Sequence, residues 1–280
     1  MDKKENIKND MLFVDGGMFQ KCGKDAILNN KYYVDKSKKI ESLSTNDYDV
    51  FEVTDISGGK KDQDLCIRIL KDATLLRYEA IKKIISNPID NFICPIDIGI
   101  IVFEDSGEEF IGIIYPKIFG VTFGELIDKK ETFSEKYIIK NVVSNINEVL
   151  RILHDLDIEH GSINLDTIRL TKDGDVVLDE CFLFLDIKTS PIYYTPACSV
   201  INVSSSFGEP QSDYYALGIV CLELLIGERV SGYKDDQLNA KRIYEGSYNY
   251  FLKGQIITGT IKKIIQGLLQ DNKDDRFGYK

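Results

Sequence analysis

The chain of 280 residues is 43% hydrophobic, enough to bury a large core in one bilobal domain or two small ones. Its formal net charge of −10 argues against a nucleic-acid backbone as the main partner. The six cysteines (Cys22, Cys66, Cys94, Cys181, Cys198 and Cys221) are scattered without C-x-x-C spacing, as expected of reduced core thiols in a cytosolic protein. The opening MDKKENIKND has no signal-like apolar stretch, and the longest apolar run, ALGIVCLELLI (216–226), is too short to span a bilayer. A cytoplasmic chain with no membrane partner is the expectation.

In chain order, residues 1–30 lack sustained periodicity and read as a tail or an irregular cap. Within them FQKCGK (19–24) offers half a zinc ribbon with no second cysteine pair, so no metal is assigned. From Tyr32 the pattern favours strands: YDVFEV (48–53), LCIRIL (65–70), IGIIVF (98–103) and FIGIIY (110–115) are short and rich in β-branched or aromatic residues. SGGK (57–60) and EDSGEE (104–109) read as the hairpin connections. Between the pairs, TLLRYEAIKKII (74–85) sets Leu75, Tyr78, Ile81 and Ile85 on one helical face and stops before Asn87-Pro88. Four or five strands with one inserted helix make a small sheet domain.

After Gly120 the signal turns helical. YIIKNVVSNINEVLRIL (137–153) and TIKKIIQGLL (260–269) are amphipathic, whereas ALGIVCLELLI is apolar all round, the mark of a helix surrounded by protein. A small β-unit lies between the first two helices: TIRL (167–170), the turn KDGD (172–175) and VVLD (176–179).

That order resembles the eukaryotic-type protein kinase fold, as found in bacterial Ser/Thr kinases, over roughly residues 31–280. LHDLDIEHGSINLDTIRL (153–170) reads like the family's L-H-x-x-x-I-x-H-R-D-x-K-x-x-N-I-x-L, and VVLDECF falls where the family has D-F-G. PIYYTPACSV (191–200) falls at A-P-E, QSDYYALGIVCLELLIGE (211–228) at S-D-x-x-x-L-G-x-x-x-x-E-L-x-x-G, and DNKDDRF (271–277) at D-P-x-x-R-F. CIRIL (66–70) takes the place of the strand bearing the family's lysine, and IFGVTFGELI (118–127) reads as the hinge and the helix after it. The resemblance implies an α+β bilobal fold with a β-rich N-lobe (31–119) holding one inserted helix. A larger helical C-lobe (120–280) follows, without the family's last helix.

The family's chemistry needs a phosphate cradle, Mg²⁺ ligands and a group that orients the hydroxyl nucleophile. At the cradle stands IESLSTNDYDVFEV (40–53), with no glycine and with Asp47 and Asp49 facing any triphosphate; a plain β-turn is expected there. The lysine aligns with Arg68, and Glu79 is placed as its partner. The substrate-orienting aspartate is Ser162, the following lysine Asn164, and the second metal ligand Thr167. Asp179 survives as a Mg²⁺ ligand, but Glu180-Cys181 replaces Phe-Gly, and Ala197 deprives Arg276 of its usual partner. Losing one general base typically costs roughly 10²- to 10⁴-fold in rate. Asp213 resembles the family's buried aspartate that braces the catalytic-loop backbone.

Other chemistry fits less well. His160 and Ser162 lack the G-x-S-x-G frame of a hydrolase, and His160 and His154 both read as scaffold. KDGD lacks the spacing of a calcium loop, and SGGKKD lacks the frame of a Walker lysine. The chain therefore reads as a pseudokinase that regulates or scaffolds by binding another protein or a further domain of the same chain, with no cofactor expected. Two alternatives remain: a transferase that uses Arg68, Glu79 and Asp179 on ATP, and an ATP-binding switch without turnover. ATP and Mg²⁺ would enter only an open cleft.

Overall fold

Leu65–Leu70 is buried at every position, and a strand with no solvent-facing side belongs at the centre of a sheet. The structure, a computed structural model, describes residues 11–14, 17–20, 26–58, 64–72, 76–103, 107–179, 182, 210–229, 257–270 and 272–277. The chain is of the α+β class and divides into two compact units, the first of Met1–Pro88 and Cys94–Ile118, the second of Ile89–Ile93 and Phe119–Lys280.

The first unit opens with a hairpin of β1 (Met11–Val14) and β2 (Gly17–Gln20). A six-stranded antiparallel sheet follows, of β3 (Ile27–Leu28), β4 (Tyr32–Lys39), β5 (Tyr48–Asp55), β6 (Leu65–Leu70), β7 (Asp97–Phe103) and β8 (Glu108–Pro116), in the order β3-β4-β5-β6-β8-β7. Its two edges approach one another: the Ala26 amide donates to the Val102 carbonyl at 3.0 Å, and Asn29 Nδ2 donates to the Ile98 carbonyl at 3.0 Å. The sheet thereby curls around a core of Leu28, Tyr32, Val34, Ile67, Ile101 and Ile114.

Residues 1–30 are thus not simply a tail or an irregular cap. Strands of four and two residues are too short for alternation to show, although Asp15-Gly16 between apolar runs is a hairpin signature. Helix α1 (Tyr78–Ser86) begins later than the expected residue 74, because Leu76 is buried in the extended lead-in and Arg77 takes non-helical angles (φ −88, ψ 68). It buries Tyr78, Ala80, Ile81 and Ile84, so Ile84 rather than Ile85 faces the core.

In the second unit β9 (Gly120–Thr122) pairs with β10 (Ile168–Thr171), which pairs with β11 (Val176–Leu178), all antiparallel. Helix α2 (Phe123–Asp128) starts with a capping box in which Thr122 and Glu125 each accept the other's backbone N–H. The expected helix over 137–153 runs through α3 (Glu135–Tyr137), a π-helical stretch (Ile138–Val143) and α4 (Ser144–Asp155).

Helix α5 (Pro210–Ile226) starts six residues ahead of the apolar run, with proline as its first residue, where a missing N–H costs nothing. It is buried from Gln211 to Leu224. Helix α6 (Gly259–Leu268) packs on it, Leu268 and Leu269 closing on Gly218. No helix among the described residues is long and apolar enough to cross a membrane. The PIYYTPACSV segment with Ala197, the Glu180-Cys181 pair, parts of both expected hairpin turns and Asp271 lie outside the described residues.

Candidate functional site

The loop that holds His160 and Ser162 begins where α4 stops. Asp157 takes φ 56, and its amide and that of Ile158 donate back to the His154 and Leu153 carbonyls at 3.0 and 2.9 Å. This closes the helix with a left-handed residue and aims the chain towards α5. Asp213 on α5 meets it. Its carboxylate, 1% exposed, accepts from the His160 amide at 2.8 Å, the Gly161 amide at 2.8 Å and His154 Nε2 at 2.9 Å. Two of these donors are backbone amides that the turn would otherwise leave unpaired. Gly161 takes φ 71, a conformation that a side chain would strain.

His160 is held at both ring nitrogens. Nδ1 accepts from the Ser162 amide at 3.1 Å, so the proton sits on Nε2, which donates to the Asp179 carbonyl at 2.9 Å. The ring lies edge-on to Phe92 at 6.1 Å, and Phe92 lies edge-on to Phe182 at 6.1 Å. His160 thus contacts Ser162 through the backbone, an arrangement that gives no general base to the serine hydroxyl.

Asn164 and Thr167 downstream hold the loop together. Asn164 Nδ2 donates to the Ser162 carbonyl at 3.0 Å, and its Oδ1 accepts from the Asp166 amide at 2.8 Å. Thr167 Oγ1 lies 2.8 Å from the Ser162 carbonyl and accepts from the Asn164 amide at 3.0 Å. Each side-chain oxygen accepts a backbone N–H of the loop.

Asp179 follows β11 and is buried. Its amide donates to the Thr167 carbonyl at 2.7 Å, and Arg169 Nε donates to its Oδ2 at 3.1 Å. Thr167, Asn164 and Ser162 therefore gather in one loop with Asp179 behind them. A Mg²⁺ ion on Asp179 within about 5 Å of the guanidinium would meet a repulsion of roughly 7 kcal/mol at an effective dielectric constant near 20. No group of three or more His, Cys, Asp or Glu side chains suited to a metal ion occurs among the described residues. The residues around Asp179 do not fit Mg²⁺.

Arg68 and Glu79, in the first unit, are not joined. Arg68 is buried on β6 with its guanidinium between the rings of Tyr48 (4.9 Å) and Tyr115 (4.4 Å), a cation–π sandwich. Glu79 is exposed on α1, and among the described residues no ion pair links it to Arg68. The resemblance placed the two as partners; the rings of two tyrosines lie against the arginine.

The connection between β4 and β5 is a 3-10 turn (Glu41–Leu43) followed by a hydroxyl-bonded turn, not the plain β-turn expected. The Leu43 and Ser44 amides donate to the Ile40 carbonyl, the Thr45 amide to the Tyr48 carbonyl, the Asp47 and Tyr48 amides to Thr45 Oγ1, and the Val50 amide to Ser44 Oγ. Donors that a phosphate cradle would present outwards are engaged within the loop. Burial works to raise the Asp49 carboxyl, but the hydrogen bonds and charges of Lys39 and Lys71, each 3.2 Å away, hold it below its ordinary value.

Sequence reasoning missed two side chains. Arg169 was legible: counting outwards from the Asp173-Gly174 turn pairs it with Val177, so Asp179 falls diagonally on the same face. Arg229, just beyond α5, had no local signal. It grips Asp166 with both Nη atoms at 2.7 Å and Asp128 with Nε at 2.9 Å, and these carboxylates raise its already high pKa further. Gly124 makes room for this clamp, since a Cβ there would overlap Asp166 Oδ1 and Arg229 Nη2. No protein-family model matches the chain.

Proposed function

We propose that the chain is a protein-kinase-like pseudokinase with the family's bilobal fold, acting as a regulatory or scaffolding module that binds another protein or a further domain of its own chain. A strand-rich unit with one inserted helix precedes a helix-rich unit with an embedded hairpin, which supports the fold. One observation carries the functional reading: the positions of the phosphoryl-transfer loop are engaged in holding the loop itself. Asn164 and Thr167 bond to the Ser162 carbonyl, and Arg169 bonds to the Asp179 carboxylate. Ser162 offers a hydroxyl where transfer needs a carboxylate to accept the nucleophile's proton, and an alcohol does not take up that proton at neutral pH.

Thermal denaturation with and without ATP and Mg²⁺, paired with a radiolabelled transfer assay, tests this. A ligand at 100 times its dissociation constant adds about 2.7 kcal/mol, a shift of roughly 5 °C or more for a chain of this size. No shift and no product is the expected result. A shift without product would replace the scaffold with a nucleotide-binding switch. Labelled product that disappears in Asp179→Ala would overturn the proposal in favour of a transferase.

A further inference from the structure

We infer that Arg169 is a built-in cation for Asp179, a positioning residue whose guanidinium takes the place a divalent ion would need and keeps the site metal-free. The inference deepens the pseudokinase reading and rests on it, because that reading makes Asp179 the surviving metal-ligand position.

Three observations support it. Arg169 sits on the middle strand of the three-stranded sheet, opposite Val177 on one side and Thr122 on the other, so its backbone is fixed from both sides. Its Nε reaches Asp179 Oδ2 at 3.1 Å, with the two side chains only 16% and 8% exposed, too little for water to supply the counter-charge. The Asp179 main chain is anchored separately, by its amide to the Thr167 carbonyl and its carbonyl to His160 Nε2, so the carboxylate would stay in place without Arg169. Removing Arg169 takes away the cation at Asp179 Oδ2 and opens that oxygen to another cation or a proton.

Mn²⁺ is the probe, followed by the loss of its free electron-paramagnetic-resonance signal in the full chain, alone and with ATP. Wild-type protein should show no binding that depends on Asp179. Arg169→Leu should raise Mn²⁺ affinity by roughly tenfold or more, and Arg169→Leu combined with Asp179→Asn should abolish the gain. Arg169→Gln takes the place of Arg169→Leu if the leucine variant does not fold. In addition, urea denaturation of Arg169→Gln, Asp179→Asn and the double variant should show a double-variant loss well below the sum of the single losses.

An unchanged Mn²⁺ affinity in the folded Arg169 variant, or strictly additive losses, would overturn the inference and leave the pseudokinase reading standing. Wild-type Mn²⁺ binding lost in Asp179→Asn would overturn it as well. ATP turnover by the wild-type chain would instead overturn the reading beneath it.

Discussion

Asp213→Ala should unlatch the loop that carries His160 and Ser162. The substitution leaves the His160 and Gly161 amides without their acceptor, in a region where His160 is 1% exposed and Asp213 1% exposed. Each buried unpaired donor costs about 1–3 kcal/mol, so the two amides together cost roughly 2–6 kcal/mol. His154, at the edge of the site, can turn to water and adds little. Against a total stability of roughly 5–15 kcal/mol, the loss is large. Asp213→Asn separates the hydrogen bonds from the side chain's volume. Its amide oxygen can serve one side of the old carboxylate, but its NH₂ must face a donor on the other, so about 1–3 kcal/mol should be lost. Urea denaturation gives both magnitudes, and amide hydrogen exchange locates them at His160 and Gly161. A loss under about 1 kcal/mol for Asp213→Ala with the Gly161 amide still protected would refute the bracing role. Equal losses for alanine and asparagine would refute its attribution to hydrogen bonds.

The Arg229 clamp should couple to Gly124. In Gly124→Ala the better helix propensity of alanine, about 1 kcal/mol, offsets the opened ion cluster, so net stability changes little. The same background should nevertheless remove most of the destabilisation caused by Arg229→Ala, and a double-mutant cycle that shows plain additivity would count against the overlap at Gly124. The Glu52–Lys117 pair predicts an acid limb. Chiefly the hydrogen bond from Lys117 holds the Glu52 carboxyl below its ordinary 4.5. A folded-state value depressed in this way gives stability that is complete above pH 4.5 and is lost as pH falls through the folded-state value. Glu52 is 41% exposed, so the gain is at most about 0.5 kcal/mol after screening by water. Lys117→Met should lower the urea midpoint slightly above pH 4.5 and flatten its fall below that pH.

Much of the fold was legible because burial leaves a linear trace. LCIRIL is continuous in apolar character because both its faces are covered, and ALGIVCLELLI because its helix is surrounded on every side. The spacing of His160, Ser162 and Asp179 was equally readable, since motif positions lie close along the chain. What each side chain holds was harder to read. Asp213, 52 residues from Gly161, was expected at the loop backbone only through the resemblance, and Arg229, 101 residues from Asp128, had no such guide. Periodicity is blind to partners brought together only by folding. The resemblance paired Arg68 with Glu79, where two tyrosines, neither adjacent in sequence, enclose the guanidinium.

By itself, then, the order of residues determined most of the longer strands and helices and the absence of a carboxylate at position 162, each of them a property of short stretches of chain. Tertiary structure alone decided that Arg229 clamps Asp128 and Asp166, and that Tyr48 and Tyr115 enclose Arg68. The physical reason is directional. Hydrophobic burial is non-directional and follows composition, whereas hydrogen bonds and ion pairs depend on distances of about 3 Å that exist only once distant segments have met.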